Sequence, residues 1–162
     1  MATGVFHAFP SMPQSFVAYD RSTPLACDTI EFDTTGCFNV GPTNPDGSPG
    51  HCFVANAYMI VDFRAQVLWS NPTNTADLTL LITKNVLPPP GGEKGGEIGG
   101  TDVFATPGAG VYSSQVFRIL QLFPGDKVWC VPCINCAGQL TPAMGGLNGT
   151  NNCNYFEGTI VG

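Results

Sequence analysis

The chain has 162 residues, a formal net charge of −6 and only six Lys plus Arg. Phosphate recognition needs clustered cations, and these are few and scattered, which argues against a nucleic-acid partner and against an anionic membrane surface. No apolar run approaches the ~20 residues that a membrane-crossing helix needs. Charged residues make up 11% of the chain, while Gly (20) and Pro (14) are abundant. Few charges and many turn formers point to a sandwich or barrel with elaborate loops. The length suits one domain with a core that needs no disulfides. So little charge also points to a surface partly hidden in an oligomer. Seven cysteines is an odd number, so at least one thiol is free, pairs between chains or binds metal. The start, MATGVFHAFPSMPQ, lacks the basic head and apolar stretch of a secretory signal. Either Met1 is the native start of a protein exported by another route, or a signal has been removed.

In chain order, residues 1–14 read as an N-terminal arm with a short apolar segment from Gly4 to Phe9, and residues 15–162 as a single domain. Ser15–Tyr19 and Thr29–Phe32 read as strands. From Thr34 to Gly50 turn chemistry dominates, with Asn44-Pro45, Asp46-Gly47 and Pro49-Gly50. His51–Val54 restarts a strand. The next stretch, Ala57–Trp69, carries the clearest signal in the chain. Ala57, Met59, Val61, Phe63, Ala65, Val67 and Trp69 alternate with positions that include Asp62, Arg64 and Gln66. That period of two predicts a long strand with one buried face, and a helix would mix the charges among the apolar residues.

Asp77–Lys84 alternates in the same way, with Leu78, Leu80 and Ile82 on one face. Val86–Gly110 reads as a surface loop with one short strand near Thr101–Phe104, and its glycines do not follow a collagen repeat. Gln115–Phe123 has apolar residues on both faces, so it is central in a sheet or lies at an interface. Pro124-Gly125-Asp126 turns the chain into Lys127–Val131. A second long loop spans Asn135–Asn152, and Tyr155–Val161 is the last strand. The sum is roughly eight to ten strands, no helix, no repeat and no linker.

Several short phrases stand in a particular order along the chain. They are Ile30-Glu31-Phe32-Asp33, then Cys52-Phe53-Val54 ahead of Ala57-Tyr58, then Thr83-Lys84-Asn85. Leu120-Gln121-Leu122-Phe123-Pro124-Gly125-Asp126-Lys127-Val128-Trp129 follows, and Phe156-Glu157-Gly158-Thr159-Ile160-Val161 closes the series. From Ser15 to the C-terminus this series resembles the globular head of complement component 1q and the tumour-necrosis-factor superfamily. Ala57 stands where that family favours Gly, and the collagen stem of complement-type proteins is missing. The resemblance implies an all-β jelly-roll sandwich of two antiparallel sheets that assembles as a homotrimer. Tyr58, Phe117, Ile119 and Tyr155 are the candidate trimer contacts under that reading, or else ordinary core residues.

Cys130-x-x-Cys133-x-x-Cys136 resembles part of a zinc or iron–sulfur arrangement, with Cys153 as a fourth ligand. Against that, Cys130 lies in a strand, where positions i and i+3 face opposite ways. The plainer reading is disulfides among Cys27, Cys37, Cys52, Cys130, Cys133, Cys136 and Cys153, with Cys37 to Cys52 one pairing across the turn-rich segment. His51 and Cys52 are strand neighbours and cannot form a nucleophile–base pair directly, and His7 lies in the arm, so no enzymatic motif emerges. Asp20, Asp28, Asp33 and Asp46 sit near turns. The resemblance raises calcium there, and plain turn chemistry explains the same residues. No other cofactor is implied. Asn148-Gly149-Thr150 is a glycosylation sequon on a eukaryotic secretory route and otherwise a turn.

The leading expectation is a non-enzymatic trimeric module on a virus or phage particle (capsid decoration, spike or fibre tip). Its long loops would contact capsid proteins or host-surface glycans or proteins. The alternative is a secreted complement-type domain that recognises glycans or protein ligands. A metal-thiolate protein ranks third.

Overall fold

A computed structural model describes residues 3–12, 14–18, 20–70, 76–87, 97–105, 112–134, 138–140 and 154–162. Among them are twelve strands and no helix. The strands are β1 (Val5–Phe9), β2 (Ser15–Phe16), β3 (Thr29–Asp33), β4 (Phe38–Asn39), β5 (Cys52–Val54), β6 (Met59–Ser70), β7 (Ala76–Lys84), β8 (Glu97–Ala105), β9 (Tyr112–Leu122), β10 (Lys127–Ile134), β11 (Gly138–Leu140) and β12 (Tyr155–Ile160). They form two sheets of seven and five strands. The first runs β2-β11-β6-β12-β1-β3 with β9 on the other side of β6, and the second runs β4-β5-β10-β7-β8. Every pairing is antiparallel. The described residues form an all-β sandwich of two antiparallel sheets, with the strands that alternation predicts in the jelly-roll arrangement that the resemblance implies.

The expected alternation holds from Met59 to Trp69, but Ala57, expected on the buried face, precedes β6 and is exposed. Met59, Val61, Phe63, Ala65, Val67 and Trp69 are buried, while Arg64 is exposed and Asp62 and Gln66 are partly so. β6 pairs with β9 over its whole described length, from Met59 opposite Leu122 to Trp69 opposite Tyr112. Some expectations change. Val5–Phe9, within the expected arm, is β1 and lies between β12 and β3. The expected strand at 15–19 shortens to Ser15–Phe16. The short strand expected near 101–104 is instead the nine-residue β8, paired along β7. β9 is not central. Among the described residues it pairs only with β6, and its apolar outer positions face solvent. β10, by contrast, is central and extends to Ile134.

The two sheets meet at a cluster of five phenylalanines. Phe6, Phe63 and Phe156 come from one sheet, and Phe38 and Phe53 from β4 and β5 of the other. Phe6 lies 5.0 Å from Phe38, 5.2 Å from Phe53 and 5.4 Å from Phe156 between ring centroids. Phe63 lies 5.3 Å from Phe53 and 5.6 Å from Phe156. Aromatic pairs at these separations contribute beyond the area they bury. At the far end the Trp69 indole donates to Ser114 Oγ at 3.1 Å, and that hydroxyl donates to Leu78 O at 3.3 Å. One polar chain thus crosses from β6 through β9 to β7 in the opposite sheet.

Two of these phrases meet in space. Lys84 Nζ sits 2.8 Å from Asp126 Oδ2, and Asn85 Nδ2 donates to Asp126 Oδ1 at 2.8 Å. The Lys127 amide donates to Asn85 Oδ1 at 2.9 Å. Gly125 has φ +91°, a left-handed conformation that L side chains avoid, so this turn needs glycine. Partial burial pushes the Asp126 carboxyl up, but hydrogen bonds from Lys84, the Phe123 amide and Asn85, with the Lys84 charge, outweigh it and hold it at about 2.

Gly158 has no room for a side chain. A Cβ there would lie 2.4 Å from Phe6 Cε1 and 3.1 Å from Val61 Cγ1. Gly158→Ala therefore lowers stability by about 1–3 kcal/mol in urea unfolding, because Phe6 must leave its place in the cluster. The Asp126 carboxyl has a depressed folded pKa, so its contribution is full above about pH 4 and is lost as pH falls through about 2. Asp126→Asn should lower the denaturation midpoint at neutral pH, and its difference from the parent chain should shrink steadily between about pH 4 and pH 2.

Candidate functional site

The outer face of the seven-stranded sheet is the surface that strand alternation leaves most exposed. The ladder registers place Phe117, Arg64, Glu157, His7 and Phe32 in one row across β9, β6, β12, β1 and β3. Ile119, Asp62, Thr159 and Val5 form the next row. Phe117 is 69% exposed and Ile119 65%. Outward apolar residues on an unpaired edge strand are rare in a chain that stays alone, because such an edge is a template for association.

The opposite end of the rows is aromatic. His7 stacks on Phe32 with ring centroids 5.7 Å apart and contacts Tyr155 at 5.4 Å. Its Nδ1 lies 3.1 Å from Glu31 Oε2. Between the two apolar ends runs a polar band, where Arg64 donates to Asp62 Oδ2 at 2.9 Å and Gln115 Nε2 donates to Gln66 Oε1 at 2.5 Å. A hollow of about 400 Å³ opens between Arg64, Gln115, Phe117 and Tyr155. Burial pushes the Tyr155 phenol up, and the Glu157 carboxylate adds to the shift.

All four residues named from sequence lie on this sheet. Phe117 and Ile119 are adjacent outward positions of β9. Tyr155 faces them across β6. Tyr58, 53% exposed, lies at the far end of the same sheet against Phe123 at 5.5 Å. Sequence reasoning missed His7, Phe32, Arg64 and Gln115. The even positions of the 57–69 stretch already mark Arg64 as outward. Phe32 and His7 become neighbours only through the β1–β3 ladder, which no local pattern reveals.

The cysteines do something different from what their spacing suggests. Cys27, Cys37, Cys52, Cys130 and Cys133 are buried and none of them is in a disulfide, and Cys136 and Cys153 lie outside the described residues. Cys37 does not bridge to Cys52. Cys37 belongs to the core between the sheets, whereas Cys52 packs with Leu81, Trp129 and Val131 on the far face of the five-stranded sheet. Cys130 and Cys133 likewise take opposite faces of β10. No group of three His, Cys, Asp or Glu able to hold a metal occurs among the described residues. Cys52 Sγ accepts from Asn44 Nδ2 at 3.3 Å, and the His51 ring contacts Cys27 O at 3.3 Å.

The four candidate calcium carboxylates are all engaged, Asp20 and Asp33 within their own turns and Asp28 and Asp46 also by residues distant in sequence. Asp33 Oδ1 accepts from the Thr35 and Gly36 amides at 2.8 and 2.9 Å, and its Oδ2 accepts from the Phe38 amide at 3.0 Å. Asp20 accepts from the Ser22 amide at 2.8 Å, and Asp28 from the Ser11 amide at 2.7 Å. Burial raises both carboxyls, but these side-chain and amide hydrogen bonds win and lower them. Hydrogen bonds from the Lys127 ammonium and Ser48 hold Asp46 well below the usual carboxylate range. A larger hollow of about 910 Å³ opens beside this pair, lined by Phe38, Asn39, Asn44, Asp46 and Lys127 among others. Its polar groups point into their own loop. Asn39 Nδ2 donates to Asn44 Oδ1 at 2.8 Å, and Asn44 Nδ2 donates to Pro49 O at 2.6 Å. The sequon at 148–150 lies outside the described residues.

No family model matches the chain, and no curated protein sequence matches it. Solved structures do. The globular domain of zebrafish complement 1qA is 12% identical, with 98% of each chain covered and a TM-score of 0.59. Murine APRIL at pH 5.0 is 14% identical over 98% of each chain, with a TM-score of 0.63. Eiger TNF from S. frugiperda is 11% identical, covering 98% of this chain and 90% of that one, with a TM-score of 0.57. Sheet order, strand register and these likenesses agree, and the chain has the complement 1q/TNF-like jelly-roll fold.

Proposed function

We propose that this chain is a non-enzymatic binding module that works as a homotrimer built on the outer face of its seven-stranded sheet. The observation that carries this reading is the exposure of Phe117 and Ile119 on β9, which pairs only with β6 among the described residues. In a head-to-tail ring, the β9 edge of one copy covers the Tyr155, His7 and Phe32 patch of the next. Two different patches on one face generate a closed ring when the rotation closes. Tyr58 extends the contact toward the end of the sheet. A chain with 11% charged residues is suited to losing part of its surface to neighbours of its own kind.

The finer reading is a module that decorates a virus or phage particle and contacts capsid proteins or host-surface glycans or proteins. Low charge and the scarcity of cations support a projecting role over one that wraps a genome. The complement-type alternative, a secreted recognition domain, is supported by the likeness to the complement 1qA domain. Mass spectrometry of purified particles that finds this chain decides for the first. A signal sequence or collagen stem in the complete gene decides for the second.

Light scattering on the purified chain should give about three times its 17.1 kDa mass. The double substitution Phe117→Glu and Ile119→Glu should bring the particle down to one chain while the β-type circular dichroism spectrum persists, because neither side chain belongs to the core. A parent chain that runs as a monomer would end the proposal.

A further inference from the structure

The long connection between β2 and β3 lies against the core with few regular backbone bonds. At its end the Leu25 amide donates to Cys130 O at 2.8 Å, which fastens it to the middle of β10. The Cys27 amide then donates back to Leu25 O at 2.8 Å, a three-residue turn that keeps Cys27 beside the same strand. Cys27 and Cys130 are 0% and 1% exposed and share the core between the sheets. Burial pushes the Cys27 thiol far up and a charge on Cys130 adds to the shift, while a hydrogen bond with the Phe156 backbone works the other way.

The other described cysteines are engaged or turned away. Cys52 lies on the far face of the five-stranded sheet, and Cys133 takes the opposite face of β10 from Cys130. The Cys37 thiol donates to Thr35 O at 3.4 Å within its own turn.

We propose that Cys27 and Cys130 are an oxidation site, and that they close into a disulfide when the chain folds in the presence of a disulfide oxidant. The reaction is thiol–disulfide exchange. One cysteine thiolate attacks the oxidant's sulfur and releases a first thiol. The second thiolate then attacks the resulting mixed disulfide and releases a second. Two protein thiols lose two protons and two electrons, and one oxidant disulfide becomes two thiols. Both sulfurs are sealed from solvent in the folded chain, so the bond forms during folding. It closes a loop of roughly a hundred residues and restricts the unfolded chain accordingly.

The test folds the full chain from denaturant with glutathione and its disulfide, and in parallel with a reductant. Free thiols are alkylated under denaturing conditions, and the chain is cleaved before its aspartates. Asp28, Asp33 and Asp46 separate Cys27 from Cys37 and Cys52. The crosslinked peptide is then fragmented to locate the second sulfur. The expected result is Cys27 joined to Cys130, with intact mass about 2 Da lower for that bond and a higher urea midpoint than the reduced chain. Cys27→Ala folded in the same way should lose this crosslink. Recovery of Cys27 as an alkylated thiol, or joined to any other cysteine, overturns the proposal. The primary measurement needs no substitution, so a variant that fails to fold leaves it intact.

Discussion

The fold depends on the contact between Phe6 and its four phenylalanine neighbours. β1 is a five-residue strand near the start of the chain, yet its second side chain, Phe6, touches both sheets. It can do so because β12, its partner, offers a glycine directly opposite, at Phe6–Gly158 in the ladder. The ring lies in the space a side chain at 158 would occupy. The missing Cβ on the last strand and the large ring on the first are one packing decision made at opposite ends of the sequence. This is why the chain must be almost complete before its core can close.

The two outer faces are treated differently. Over the five-stranded sheet, Cys52, Leu81, Trp129 and Val131 form a buried second cluster. Part of its cover comes from the turn-rich segment, whose Pro49 and Gly50 carbonyls each accept from the Trp129 indole at 3.1 Å. Gly50 comes so close to the Gly41 backbone that no Cβ would fit. The prolines and glycines of 42–50 thus act as a lid as well as a turn. Over the seven-stranded sheet the described residues provide no such cover for Phe117 and Ile119. That asymmetry, more than any single residue, directs attention to the uncovered face.

The sequence was most legible where alternation ran longest. Thirteen residues around Phe63 could obey only one period, and the buried positions of β6 are those the pattern named. Legibility failed where pairing rather than local pattern decides. Val5–Phe9 resembles a loose arm until β12 and β3 flank it. Apolar residues on both sides of β9 fit a central strand and an associating edge equally well, and only the ladder separates the two. The cysteines misled for a related reason. Cys37 and Cys52 are near in sequence, but two strands and their alternation send them to opposite sides of one sheet. The pair proposed to join, Cys27 and Cys130, has no signature a linear reading could use.

The bare flank of β9 has a consequence for how this protein is made. Tyr112–Leu122 carries no proline and no lysine, and its one charged residue, Arg118, falls on the inward-facing positions beside Phe63. Apart from that inward arginine, the deterrents against stray strand addition that a strand's own residues can supply are missing from it. In the proposed trimer a sister copy would cover this flank, so a newly synthesised chain is safest when other copies are already nearby.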